Sequence, residues 1–223
     1  LKSVAIVFDL FGTLLNIASL EAAAAPYTAD PAAFVATWRE KQIAYAFAST
    51  IMNRYEDFDA LTTRALQFAA ARHGLSATDR GWERLAGAWQ DLRPFEDARD
   101  TLNGLRAIGQ RCAVLTNGTP RTAGAALLSA GLTDGLDITL SVDAVRAYKP
   151  DARVYALATA YFATTPERVV FVTSNGWDAT GAAAFGFRVA WCNRSGAPME
   201  TLGPAPHWTI AGLDELTRLV AAA

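Results

Sequence analysis

Val4-Ala5-Ile6-Val7-Phe8-Asp9-Leu10-Phe11-Gly12-Thr13-Leu14 carries an uninterrupted apolar run into a carboxylate and then a glycine turn. A short run that is apolar at every position, without alternation, reads as a strand buried on both faces. Asp9 then falls at the carboxyl end of that strand, where open α/β sheets bind their ligands. Taken alone, a strand-end Asp equally well caps a turn. The rest of the chain decides between the two.

Similar runs recur at Cys112–Leu115, Ile138–Val142, Val169–Val172 and Val189–Trp191, each followed by polar or Gly-containing turn residues and separated by Ala-rich segments of helical length. That alternation predicts a doubly wound parallel sheet covered by helices. The helix punctuation agrees: Thr119-Pro120 pairs an N-cap residue with proline at the first helical position, and Gly131 is placed to end that helix. Gly186 is placed to end another that begins near Asp178. Between Leu15 and about residue 91 the rhythm breaks, with no strand-like run for roughly seventy-five residues. Asp30-Pro31 opens a long helical pattern with Phe34, Trp38 and Tyr45 near one face, and further helices follow at Phe58–His73 and Asp79–Leu92. The predicted fold is α/β: a Rossmann-like parallel-sheet core at 1–14 and 92–223, with an inserted helical cap subdomain at 15–91.

Composition narrows the function. Twenty basic against 22 acidic side chains give a net charge of -2, which argues against nucleic acid or an anionic membrane surface as a partner. A hydrophobic share of 52% with 19% charged residues supports a packed core. No apolar stretch reaches the roughly 18 residues of a membrane helix, and Asp9 inside the first apolar run speaks against a signal peptide. Two cysteines, Cys112 and Cys192, lie in apolar runs, so a reducing, cytoplasmic setting is expected. Walker, Gly-x-Gly-x-x-Gly, Gly-x-Ser-x-Gly and His-Glu-x-x-His motifs are absent, and His73 and His207 lie outside every motif.

The string around Asp9 resembles the first motif of the haloacid dehalogenase superfamily, whose Asp is a nucleophile. Leu115-Thr116-Asn117-Gly118, Lys149-Pro150-Asp151 and Val172-Thr173-Ser174-Asn175-Gly176-Trp177-Asp178 resemble the second, third and fourth motifs, in order. Phosphatases of that superfamily usually carry an acid two residues after the nucleophile, where this chain has Phe11, and an acidic magnesium ligand where it has Ser174. Asp9 with one further carboxylate is a thin oxygen set for a hard cation. The residues present are instead similar to the L-2-haloacid dehalogenases: Phe11-Gly12-Thr13, Tyr148-Lys149-Pro150-Asp151 with Tyr155, and Ser174 through Ala182. Two stretches of the insert, Trp38-Arg39-Glu40-Lys41-Gln42 and Arg54-Tyr55-Glu56-Asp57-Phe58, resemble that family's cap.

The resemblance implies hydrolysis of (S)-2-haloalkanoic acids to (R)-2-hydroxyalkanoic acids through an ester on Asp9, with no metal and no cofactor. It implies that Lys149 keeps Asp9 ionised, an opposite charge nearby favouring the carboxylate. Thr116, with the backbone N–H groups near Leu10 and Phe11, would hold the substrate carboxylate. Arg39 and Asn117 would receive halide, with Trp177 and Phe58 as apolar walls. Asp178, Thr173, Asn175 and Lys149 would handle the hydrolytic water, and Thr13 and Tyr155 would orient the carboxylates and the lysine.

Each role has a plainer rival. Arg39 is either a solvated cap arginine or, since Val35 and Ile43 flank it one turn away, one projecting from an apolar face. Trp177, Phe58 and Phe11 fit the core as well as a pocket; Asn117 also suits a turn, and Asp178 a helix N-cap. The family generally has Ser at Thr116 and Thr173, and often a neutral residue at Glu40, which either pairs with Arg39 or faces solvent. Substrate alternatives are fluoroacetate or a small cyclic amino acid, and the reading after these is a magnesium-dependent phosphatase. A catalytically idle core binding a partner is disfavoured by the convergent strand-end charges. A homodimer is an expectation from the resemblance alone.

Overall fold

The computed structural model describes residues 5–76 and 78–221; Val4, the first residue of the opening run, lies outside them. Six strands form one parallel sheet: β1 (Ala5–Phe8), β2 (Arg111–Thr116), β3 (Ile138–Ser141), β4 (Val169–Thr173), β5 (Arg188–Cys192) and β6 (Trp208–Ile210). Their order is β3-β2-β1-β4-β5-β6. The registers pair Phe8 with Val114 on one side and with Val172 on the other, so β1 ends between its two neighbours, with β2 running on to Thr116 and β4 to Thr173. All residues of β1 and β4 are buried, as strands covered on both faces require. Each fully buried Ile, Val or Phe contributes about 1.5–3 kcal/mol of transfer free energy.

The cap holds α1 (Leu20–Ala24), α2 (Pro31–Ile51), α3 (Phe58–Arg72) and α4 (Asp79–Gly87). The core carries α5 (Ala98–Ala107), α6 (Pro120–Ala130), α7 (Ala152–Phe162), α8 (Gly176–Phe185) and α9 (Leu216–Ala221). Their ends obey local chemistry. Asp30 accepts from the Ala33 N–H to start α2, and Thr119 accepts from the Thr122 N–H to start α6. Gly131 and Gly186 close α6 and α8 in the left-handed region, as expected. In the cap, Phe34 and Trp38 are buried on the inner face of α2, while Tyr45 is half-buried.

The differences from expectation are small. Strand β6 goes beyond the predicted runs: three residues are too few to stand out. Helix α8 starts two residues earlier than Asp178 with Asn175 at its N-cap position, so Asp178 sits in its first turn and is not the N-cap. The Asp79–Leu92 helix stops at Gly87 and continues as a 3-10 turn, Ala88–Gln90.

Cap and core are joined by two antiparallel connections: Asn16 N–H donates to the Arg93 carbonyl, and Phe95 N–H to the Leu14 carbonyl. Across the opposite rim, Asp59 of α3 accepts from Thr119 and Arg121 at the start of α6. Among the described residues no helix is long and apolar enough to cross a membrane.

Candidate active site

Strand order reverses between β1 and β4, which opens a crevice at their carboxyl ends. Asp9 leaves β1 into that crevice, its N–H donating to the Val172 carbonyl of β4 at 2.9 Å. Gly12, at φ +93°, then turns the chain back, a conformation L side chains rarely adopt. The turn brings the Thr13 hydroxyl to Asp9 Oδ2 at 2.9 Å, and the same hydroxyl accepts from the Ser174 N–H. Asn175, from the turn after β4, donates from Nδ2 to Asp9 Oδ2 at 2.8 Å.

Lys149 is fully buried, and all three of its ammonium protons are used. Nζ donates to Asp9 Oδ1 at 2.7 Å, to Asp178 Oδ2 at 2.7 Å and to the Leu115 carbonyl at 3.1 Å. Burial alone would pull this lysine down, yet Asp178 and Asp9 together outweigh it and hold its pKa above the ordinary value. Asp178, fully buried on α8, is pushed up first by burial, with Lys149 opposing the rise. Its Oδ1 accepts from the Tyr155 hydroxyl at 2.7 Å. Burial, then the charge of Asp178, keeps that phenol protonated well past its usual range.

Arg39 reaches the same crevice from the cap. Its Nη2 lies 3.4 Å from the Phe11 carbonyl, and Nη1 donates to Gln42 Oε1 at 2.7 Å. Burial pushes its pKa down to about 10, against the opposing pull of Asp9 and Asp178, so it is charged at neutral pH. Glu40 is exposed and does not pair with it, which settles that alternative for solvent. Two carboxylates and two cations therefore converge.

Other predicted residues divide between the crevice and its surroundings. Thr116 Oγ1 is buried and accepts from the Gly118 N–H; Asn117 Oδ1 accepts from the Lys149 N–H, while its Nδ2 donates to nothing among the described residues. The N–H groups of Leu10 and Phe11 are likewise without an acceptor among them. The Thr173 hydroxyl accepts from the Asn175 N–H, one step from Asp9, and shares no hydrogen bond with Asp178 among the described residues, so its observed contact shapes the turn. Phe11 stacks on Phe58 at 6.2 Å and meets the edge of Trp89 at 5.3 Å, forming an aromatic wall where a phosphatase would present an acid. Trp177 is linked to that wall through Tyr148, whose ring meets Phe58 at 5.9 Å. It packs edge-on against Phe47 and lines an open apolar groove of about 710 Å³ with Ile51, Tyr148, Pro150 and Leu202. His73 and His207 serve the fold, bonded to Thr37 and to the Val189 N–H. Asp151 caps α7 and pairs with Arg153, and both cysteines are buried and free.

Three contributors carry little or no signal in the sequence. Gln42 closes the cap stretch that resembles the family and lies one turn from Arg39, but its i+3 spacing alone does not mark it as a site residue. Trp89 belongs to the turn after α4, and nothing local marks it. Arg194 donates to the Thr13 carbonyl and to Ser174 Oγ and is ion-paired to Asp97, tying the first and fourth motif loops together.

The family model described as haloacid dehalogenase-like hydrolase matches residues 4–186. The chain belongs to this hydrolase family. It is 39% identical over 215 residues to an (S)-2-haloacid dehalogenase of Pseudomonas sp. (strain YL), covering 96% of this chain and 93% of that one. It is 34% identical over 221 residues to haloacetate dehalogenase H-2 of Moraxella sp. (strain B), covering 99% of each. The L-2-haloacid dehalogenase of Xanthobacter autotrophicus superposes with a TM-score of 0.93 at 34% identity over 99% of both chains. A second structure of that enzyme, TM-score 0.92 and again 34% identical over 99% of both chains, carries chloropropionic acid covalently bound. In this hydrolase the cap is helical and the parallel sheet carries the acidic strand end, as the sequence predicted.

Proposed function

We propose that this hydrolase is an (S)-2-haloacid dehalogenase that works through an ester on Asp9. The observation that carries the reading is the Asp9 carboxylate held by Lys149, Thr13 and Asn175 beside a wall of Phe11 and Phe58. Such a carboxylate is an oriented anion facing apolar surface, suited to a carbon centre. The chloropropionic acid covalently held by the Xanthobacter relative supports the same chemistry.

In the first step an Asp9 oxygen attacks the halogen-bearing carbon from behind; the new C–O bond forms as the carbon–halogen bond breaks, and the electron pair leaves with halide. Configuration at that carbon inverts. The substrate carboxylate is held by the free N–H groups of Leu10 and Phe11 with Thr116, and Arg39 and the Asn117 amide receive the halide. In the second step water attacks the Asp9 carbonyl carbon and loses a proton to Asp178. A carboxylate raised by burial is a stronger base than a solvated one. The adduct then breaks its acyl C–O bond; the departing alkoxide takes the adduct's remaining hydroxyl proton to become the hydroxy acid, Asp9 returns as the carboxylate, and Asp178 passes the proton it took to solvent. Lys149 stays charged throughout, balancing both carboxylates without being consumed. The likeness to a haloacetate dehalogenase supports turnover of the unbranched acid at the same site.

The test is halide release from separate (S)- and (R)-2-chloropropionate in excess chelator, with chiral analysis of the lactate. Chloride from the (S) form alone with (R)-lactate as product is expected. Release from both forms, or retention of configuration, contradicts the reading.

A further inference from the structure

Arg39 is the site cation that comes from the cap, on a long flexible side chain, and among the described residues no carboxylate pairs with it. Its anchor is neutral. Nη1 donates to Oε1 of Gln42, which lies one turn along α2 and is fully buried. The other end of that amide is also fixed: Nε2 donates to Thr62 Oγ1 at 2.5 Å, and the Thr62 hydroxyl donates to the Phe58 carbonyl at 2.6 Å. Trp38 Nε1 donates to the Thr62 carbonyl at 2.9 Å, locking the same turn of α3 to α2. The Trp89 ring stands 5.7 Å from the guanidinium carbon.

Burying an amide costs free energy unless both ends are bonded, and an apolar side chain would fill the same space without that cost. What the amide adds is an acceptor turned on Arg39. A carboxylate there would orient the guanidinium as well but would cancel its charge. A neutral acceptor fixes the position and leaves the full charge for an arriving anion.

We propose that Gln42, oriented by Thr62, is the positioning residue that sets where the Arg39 guanidinium stands when halide departs, and so sets how strongly turnover depends on the leaving halide. The proposal rests on the reading of Arg39 as the halide-receiving group. Chloride is the poorer leaving group and relies more on that charge than bromide does, so misplacing Arg39 penalises chloro acids more.

The experiment measures kcat/KM for (S)-2-bromopropionate and (S)-2-chloropropionate, which reports events up to carbon–halogen cleavage, in the wild type and in Gln42→Leu, Gln42→Glu, Thr62→Val, Thr62→Ser and Arg39→Lys. Gln42→Leu and Gln42→Glu are expected to raise the bromo-to-chloro ratio about tenfold, the scale of one hydrogen bond to a charged group. Thr62→Val raises it less, and Thr62→Ser restores the wild-type ratio. If Gln42→Leu does not fold, Thr62→Val and Gln42→Glu read the same link. A ratio unmoved in the Gln42 and Thr62 variants, while Arg39→Lys moves it, overturns the proposal. A ratio unmoved by Arg39→Lys overturns the Arg39 reading beneath it.

Discussion

Replacing Lys149 with Met keeps a long side chain but removes the ammonium that stands 2.7 Å from both Asp9 and Asp178. Hydrogen bonds to a charged group contribute about 1.5–3 kcal/mol each, so two amount to about 3–6 kcal/mol. Breaking a buried pair by removing one partner independently suggests about 3–5 kcal/mol. At about 2–4 °C per kcal/mol for a chain of this size, Tm should fall by about 6–20 °C at neutral pH. The loss should depend on pH in a definite direction. With the ammonium between them gone, the cation left in the crevice is Arg39, which bonds Gln42 and the Phe11 carbonyl and neither carboxylate. Two adjacent buried carboxylates so placed do not both ionise in the ordinary range, and one keeps its proton in the folded variant at pH values where the unfolded chain has lost it. The folded state then binds more protons than the unfolded one, and the variant's stability falls as pH rises above the ordinary carboxylate pKa of about 4. Thermal unfolding followed by circular dichroism at pH 5 and pH 8 should show the gap to wild type widening at the higher value. A gap that is the same at both pH values would refute the electrostatic reasoning and leave lost packing as the cause.

The same geometry carries further expectations. A Cβ on Gly181 would stand 2.4 Å from Pro150 Cβ and 2.7 Å from the Tyr155 hydroxyl, so Gly181→Ala should displace the donor that holds Asp178. Its kcat should fall by about tenfold or more with a stability loss of about 1–3 kcal/mol, read by steady-state kinetics beside a melt. With Asp178 as the proposed base and its pKa raised by burial, hydrolysis of the ester should fail as pH drops through a value above the usual carboxylate range. That acid limb should be read from single-turnover decay of the ester, and a limb at or below the ordinary Asp value would contradict it.

The crevice is largely legible in the sequence because its parts are tied to periodic elements. Asp9, Thr116 and Thr173 end buried strands, so a run of apolar residues announces where each side chain emerges. The parallel core is readable for the same reason down to β5. Strand β6 is not, since Trp208–Ile210 offers only three residues, of which Ile210 alone is buried. What escapes depends on docking of the cap. Gln42 and Thr62 are polar residues within helical patterns, and only the approach of α2 to α3 shows that they bond each other. Trp89 meets Phe11 across the cap–core junction, a contact between positions far apart in the chain. Trp177 shows how neighbours divide: Asp178 lies in the charged cluster, while the Trp177 ring lines an apolar groove that meets the aromatic wall through Tyr148.

The central claim is that Asp9 itself becomes esterified. Single-turnover reactions with enzyme in excess, run in heavy-oxygen water and followed by mass spectrometry of the Asp9 peptide and of the hydroxy acid, test it most directly. The account predicts label in the Asp9 carboxylate and an unlabelled hydroxyl in the first product, with Asp9→Asn inactive. Label confined to the product, with none on Asp9, would mean that water attacks the substrate carbon directly and would contradict it.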